Sequence, residues 1–415
     1  MHPFTLVFLA ALAATLAARL WLARRQATHV AAHRDHVPGE FAEAITLASH
    51  QKAADYTVTK TRLGMIETVV GTLVLLGFTL GGGLQALWDL AARAADAGSI
   101  AHGILFMAGV AVVGGAIDLP FTLYRTFVIE ERFGFNRMTL RLFLADLAKQ
   151  TLVGAALGLP LLAAVLWLMD RMGSLWWLYV WLTWVGFNLL VLVLYPTVIA
   201  PLFNRFSPLQ DDSLRGRIEA LLAKCGFRSK GLFVMDGSKR SSHGNAYFTG
   251  LGSSKRIVFF DTLLARLAPA EVEAVLAHEL GHFRRRHVLK RIVWLFAASL
   301  AFLAVLGYVA GQPWFYTALG AHSSGTAMAL ALFFLVIPVF TFLLHPLGSL
   351  YSRRHEYEAD AYAAEHASAA DLIRALVKLY QDNAATLTPD PLHSAFYDSH
   401  PPASLRVARL QALVR

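Results

Sequence analysis

"AVLAHELGHFRRRHVLKRIVWLFAASLAFLAVLGYVAG", residues 274 to 311, decides how the chain is read. It carries His278, Glu279 and His282 in the spacing H-E-x-x-H, then runs from Ile292 to Gly311 without a single charged residue. Residues four apart on a helix share a face, so the two imidazoles can hold one cation between them. Glu279 lies about a third of a turn round, where its carboxylate can take a proton from a water made acidic by zinc. The apolar run is about the 20 residues that a bilayer crossing needs. The spacing predicts one helix running from the motif into the membrane, with Ile292 about 15 Å beyond His282. A catalytic zinc ordinarily takes three protein ligands, and this stretch supplies two.

The rest of the composition agrees with a membrane protein. Of 415 residues, 56% are hydrophobic and 16% charged, against about 25% charged in soluble domains, and the mean hydropathy is +0.50. The net charge of +9 sits in blocks beside apolar runs, the pattern of positive-inside loops rather than of a nucleic-acid face, so no nucleic-acid partner is expected. A single cysteine, Cys225, excludes an internal disulfide and is expected to be a buried thiol in a reducing compartment.

Seven crossings are predicted, at Phe4–Ala23, Gly64–Leu87, Ala101–Tyr124, Thr151–Met169, Leu175–Pro196, Ile292–Gly311 and Ala327–Leu350. The first lacks the basic leader of a signal peptide and reads as a retained helix. Lys and Arg crowd the loops after the first and third crossings, whereas "QPWFYTALGAHSSGT" after the sixth has none. This places the N-terminus outside and the motif in the cytoplasm. Pro120, Pro160, Pro338 and Pro346 are expected to bend or end their helices. Glu67 and Asp118 would be costly facing lipid, and a wet interior, a helix end or a pairing neighbour would each account for them. The chain thus divides into crossings one to five (1–203), a cytoplasmic zinc-protease region (204–291), crossings six and seven (292–350) and a cytoplasmic C-terminal region (351–415). In the second part, "NAYFTG" and "RIVFFD" around "LGSSK" read as a short hairpin.

A second constellation completes the first. "SRRHEYEADAYAAEH", from Ser352, places Glu356 and Asp360 four apart on a presumed helix. Glu356 can be the third ligand, with Asp360 one turn on to accept the free N–H of a ligating imidazole. Glu358 and Glu365 are rival ligands, but neither has an acid four residues later. A salt-bridged solvent face is the plain alternative for this run. Together the two segments suggest a zinc hydrolase at the membrane edge.

At this point the sequence resembles the type I CAAX prenyl proteases, integral-membrane zinc metallopeptidases. "IEERFGFNRMTLRLFLAD", "YPTVIAPLFNRFSPL", "SSHGNAYFTG", "KRIVFFDTLL", "LAHELGH", "SRRHEYEADAYA" and "SHPPASLRVARLQAL" match that family's motifs in its order. The resemblance implies a mainly α fold, with seven transmembrane helices enclosing a chamber and a zincin-like domain with a small sheet closing it. It implies a Zn2+ cofactor, one per chain, and cleavage near the C-terminus of a peptide or protein substrate of the prenylated, CAAX type. Carried over by residue, His278, His282 and Glu356 match the ligands and Glu279 the base. Asp360 matches the acid behind the ligands, and Arg406 a residue bracing the site. Asn245 matches a contact to the substrate backbone, and His400 a group near the scissile carbonyl. His243, His287, His355 and His393 receive no role. The Ala-, Leu- and Arg-rich composition points to a bacterial inner membrane. A quality-control zinc protease of the HtpX kind is the near alternative, and a transporter or channel the distant one; the latter calls for inverted repeats and broken helices.

Overall fold

The computed structural model describes residues 2–249 and 256–414. Among the described residues, seven helical segments are long and apolar enough to cross a membrane. The first, α1 (Pro3–Ala32), is followed by α2 (Leu47–Phe78), a short α3 (Gly83–Ala91) and α4 (Ile100–Tyr124). Then come α5 (Leu140–Arg171), α6 (Trp176–Leu194) and a four-residue α7 (Ala200–Phe203). Side-chain caps set several starts: Thr46, Ser99 and Thr139 each accept a backbone N–H three residues on, filling donors the helix cannot satisfy itself.

The second predicted crossing runs too far. α2 stops at Phe78 and a turn at Thr79–Gly82 leads into α3. Glycines make the reversal: Gly82 has φ 76, and a Cβ on Gly81 or Gly83 would meet the Gly77 carbonyl oxygen at 2.8 or 2.7 Å. Hydropathy misses the break because α3 is itself apolar, burying Leu84, Trp88 and Ala91. The prolines also act differently from one another. α4 and α5 continue through Pro120 and Pro160, although α4 passes into a π-helical turn at Arg125–Glu130. Tyr195–Ile199, with Pro196 second in it, is another such turn.

The soluble part starts with β1 (Phe206–Pro208), α8 (Asp212–Lys224) and β2 (Leu232–Met235). It continues with β3 (Ala246–Thr249), β4 (Arg256–Phe260) and α9 (Asp261–Leu264). The sheet order is β1-β2-β4-β3. β3 and β4 pair antiparallel with Tyr247 opposite Val258, as the hairpin reading expects; its "LGSSK" connection lies outside the described residues. β2 and β4 are parallel. Cys225, at the end of α8, is partly exposed rather than buried, because the helix stops where its apolar face reaches the rim of the core.

Next come α10 (Pro269–Arg284), α11 (His287–Val309) and α12 (Pro313–Ala318). α10 and α11 are not the single helix that the spacing predicts. Arg286 takes a left-handed conformation, φ 57 and ψ 33, and turns the chain at the membrane boundary. The chain ends with α13 (Thr326–Thr341), α14 (His345–His366), α15 (Ala369–Asp382), α16 (Pro391–Tyr397) and α17 (Ala403–Val414). α13 joins α14 through a tight turn at Phe342–Leu344. Pro346 sits in the first turn of α14, where a missing N–H costs nothing.

Burial along the crossings describes the bundle. Over half of the most apolar window of the seventh is buried, against 6–22% in the other six. Helices so little covered by protein leave most of their surface to lipid or solvent. Packing concentrates where α3 and α12 close one end, around Phe8, Trp88, Phe106, Phe315, Leu319 and Phe333. The soluble elements stand at the other end around their own core, which includes Ile218, Phe259, Leu276 and Leu372. Between these ends Glu67 pairs with Arg125 of the π-helical turn and lines a cavity of about 380 Å³ with Leu12, Arg19 and Gly71. Asp118 is exposed and accepts a hydrogen bond from Thr122 at 3.1 Å.

Candidate metal centre

α10 and α14 lie against each other, and Gly281 permits their closeness. A Cβ there would stand 2.9 Å from the Ala359 Cα and 3.0 Å from the Tyr362 Cβ. α10 is held at its start by Glu271, whose carboxylate accepts the Ala268 N–H and the Lys378 ammonium, both at 2.7 Å.

Across this contact His278, His282 and Glu356 turn ligand atoms towards one another. The two Nε2 atoms are 3.1 Å apart. Glu356 Oε2 is 3.5 Å from His278 Nε2, and Oε1 is 3.3 Å from His282 Nε2. Ligands bonded to a tetrahedral zinc at ~2.0–2.1 Å stand about 3.3 Å from each other. His400 Nδ1 comes to 2.7 Å from Glu356 Oε2, yet off the direction a hydrogen bond needs, so this buried oxygen has no hydrogen-bonding partner among the described residues. A carboxylate oxygen left so, facing two imidazole nitrogens, fits a cation at their centre.

Asp360 accepts from His278 Nδ1 at 2.8 Å. It also takes a two-pronged grip from Arg406, Nε to Oδ2 at 2.9 Å and Nη2 to Oδ1 at 2.6 Å. Asp360 and Arg406 are almost fully buried. Burial disfavours a charged His278, but the hydrogen bond to Asp360 and the nearby Glu356 carboxylate outweigh it and raise the ring's pKa to about 9. Glu279 is half-buried, and no hydrogen bond or ion pair to its carboxylate occurs among the described residues. It is thus free to accept a proton from a molecule entering the site.

The other expected residues fall as follows. His400 is mostly exposed and adjoins Glu356. Asn245 is exposed just before β3, its side-chain oxygen 2.8 Å from the Ala246 N–H. The rivals lie elsewhere: Glu358 pairs with His287 and Arg354, and Glu365 points outward, its carboxylate 4.0 Å from His366. His243 bonds to Asn383 at 3.1 Å and stacks on Phe135. What sequence reasoning misses is His287. It is buried, with its Nδ1 3.0 Å from His282 Nδ1. Nothing in the sequence marks it, since residues five apart on an unbroken helix are about 140° round from each other.

Fold and site define a membrane-embedded metalloprotease. Residues 26–205 match the model for the CAAX prenyl protease N-terminal region with five membrane helices, and residues 208–414 match peptidase family M48. The chain is 36% identical to the CAAX prenyl protease 1 homolog of Arabidopsis thaliana, covering 91% of this chain and 90% of that protein. It is 33% identical to CAAX prenyl protease 1 of Saccharomyces cerevisiae, over 90% and 88% of the two chains. The crystal structure of S. mikatae Ste24p superposes with a TM-score of 0.92 at 30% identity, over 99% of each chain. The chain belongs to peptidase family M48, in its CAAX prenyl protease branch. A multi-pass membrane enzyme follows, and the transporter reading is set aside.

Proposed function

We propose that the protein is a zinc endopeptidase that hydrolyses a peptide bond near the C-terminus of a prenylated, CAAX-type substrate. The observation that carries the chemistry is the triangle of His278, His282 and Glu356 donors with sides of 3.1–3.5 Å. Zinc, when bound, supplies the positive charge that acidifies water and polarises the scissile carbonyl. The three residues hold it, and Asp360, steadied by Arg406, keeps His278 turned towards it. Glu279 takes the proton of the attacking water and passes it to the departing amide nitrogen. His400, beside the triangle, donates towards the carbonyl oxygen as charge develops there.

β3 is the edge of the sheet. Phe260 N–H bonds to the Asn245 carbonyl at 3.0 Å, so by alternation the Ala246 and Phe248 backbone groups point away from β4. A substrate strand added there would be held extended, with Asn245 at its end. The basic loops lie on the same side as the metal centre: Arg25 bonds to Asp390 at 2.8 Å, and Arg137 N–H to the Arg240 carbonyl at 3.1 Å. By the charge rule that side is cytoplasmic, with the N-terminus outside; we place the protein in a bacterial inner membrane on its composition.

The test is purified protein in detergent. About one zinc per chain is expected, with cleavage of a farnesylated CAAX peptide that Glu279→Ala abolishes. Equal rates for the two proteins would refute the base; cleavage of an unprenylated peptide at the same rate would remove prenylation from the reading.

A further inference from the structure

The metal-centre reading accounts for the outer nitrogen of His278 but leaves that of His282 facing another imidazole. We propose that His287 is a positioning residue that holds His282 in the ligating tautomer and relays to it the hold of the Glu358 carboxylate. This rests on the metal-centre reading.

The proton count supports the relay. His282 Nδ1 and His287 Nδ1 are 3.0 Å apart, so a hydrogen bond between them needs a single proton. At its other nitrogen, His287 Nε2 lies 3.0 Å from Glu358 Oε2. Glu358 also accepts from Arg354 at 3.1 Å, so it is an ionised acceptor and His287 Nε2 must be the N–H. A neutral His287 then offers a lone pair at Nδ1 and accepts from His282 Nδ1–H. That leaves the lone pair of His282 at Nε2, the atom facing Glu356 and His278. The opposite assignment, a doubly protonated His287, would put the His282 proton on Nε2 and block ligation.

Geometry shows why an intermediary is needed. Glu358 follows Glu356 by two residues and so projects about 200° round α14 from it. Asp360, one turn from Glu356, reaches its imidazole directly; Glu358 reaches His282 only through His287. The His355 ring covers His287 at 3.9 Å and 11° from parallel, and Tyr351 meets His355 edge-on at 4.3 Å, fixing the plane of the relay. The left-handed turn at Arg286 is what brings His287 back over His282.

The measurement is zinc affinity of metal-stripped protein by chelator competition, paired with the visible spectrum of the cobalt-substituted form. His287→Phe removes the acceptor, and zinc is expected to bind about 10–100-fold more weakly, with a changed cobalt band. His287→Asn keeps an oxygen near the place of Nδ1 and should recover affinity to within about threefold of wild type. Should the Phe variant fail to fold, Glu358→Ala carries the comparison, with affinity expected to fall by about 3–10-fold. Wild-type affinity and cobalt spectrum in a folded Phe variant would overturn the relay, as would an Asn variant as weak as Phe, or unchanged affinity in Glu358→Ala. A wild-type protein that takes up no metal would overturn the metal centre itself, a result distinct from all three.

Discussion

Gly281→Ala tests the helix contact on which the metal centre depends. The added methyl would lie 2.9 Å from the Ala359 Cα and 3.0 Å from the Tyr362 Cβ, where carbon atoms settle at about 3.5–4.0 Å. Neither neighbour can swing aside: one is backbone, and the other is the first carbon of a buried side chain. α10 and α14 must therefore part by about 0.6 Å or more. The His pair rides on one helix and Glu356 on the other, while zinc ligand distances hold to about 0.2 Å. Overpacking of this kind costs about 1–3 kcal/mol, and a loss of 1.4 kcal/mol in metal binding is tenfold in affinity. We expect Gly281→Ala to bind zinc at least about tenfold more weakly, to melt at a lower temperature and to lose cleavage in step with zinc. Gly348→Ala is the control: it is in α14 too, but its Cβ would meet nothing within 4 Å, so zinc binding should not change. Chelator competition and a thermal melt on both variants suffice. Wild-type affinity and melting in Gly281→Ala would refute the claim that close approach sets the ligand geometry.

Three further outcomes are expected. Arg406→Leu strands the buried Asp360 carboxylate, and breaking such a pair costs about 3–5 kcal/mol; its melting temperature should fall sharply and partly recover in the double variant with Asp360→Asn, and no fall would contradict the pairing. Burial disfavours the Asp390 charge, but hydrogen bonds from Arg25 and the His393 N–H outweigh it and hold its pKa below the usual carboxylate range. Its stabilisation is therefore fully present above the unfolded carboxylate pKa of about 3.9 and lost as pH falls below that towards its folded value. Melts of wild type and Asp390→Asn should accordingly differ at pH 6 but converge in acid, and a constant difference would exclude the linkage. Ala246→Pro deletes the outward N–H of β3 that the Asn245 side-chain oxygen holds at 2.8 Å and a substrate strand would take over, while leaving the bonds to β4; kcat/KM should drop about 5–10-fold, as for one hydrogen bond of ~1–1.5 kcal/mol, with zinc content intact, and an unaltered kcat/KM would exclude strand addition there.

The sequence carries the crossings because each must keep about 20 apolar residues in lipid, a demand composition cannot hide. The placing of His278, His282, Glu356 and Asp360 is legible too, since spacing by four is a local property of a helix. Where the chain turns is less so. The glycines at 81–83 signal a break that continuous hydropathy overrides. Arg286 gives no sign, because a left-handed arginine resembles any other until packing forces it. β1, three residues long, has too few positions for a period to appear. His287 stays hidden for the same reason as Arg286: its contact with His282 depends on the turn, not on the spacing.

The two joints, at Arg286 and at Phe342–Leu344, bracket the clamped pair of α10 and α14. Each interrupts the α-helix between a crossing and the helix that carries the donors. Crossings and donor helices are thus separate rods joined end to end, and the register of His278, His282 and Glu356 is fixed within α10 and α14 rather than carried over from the lipid-facing sequence.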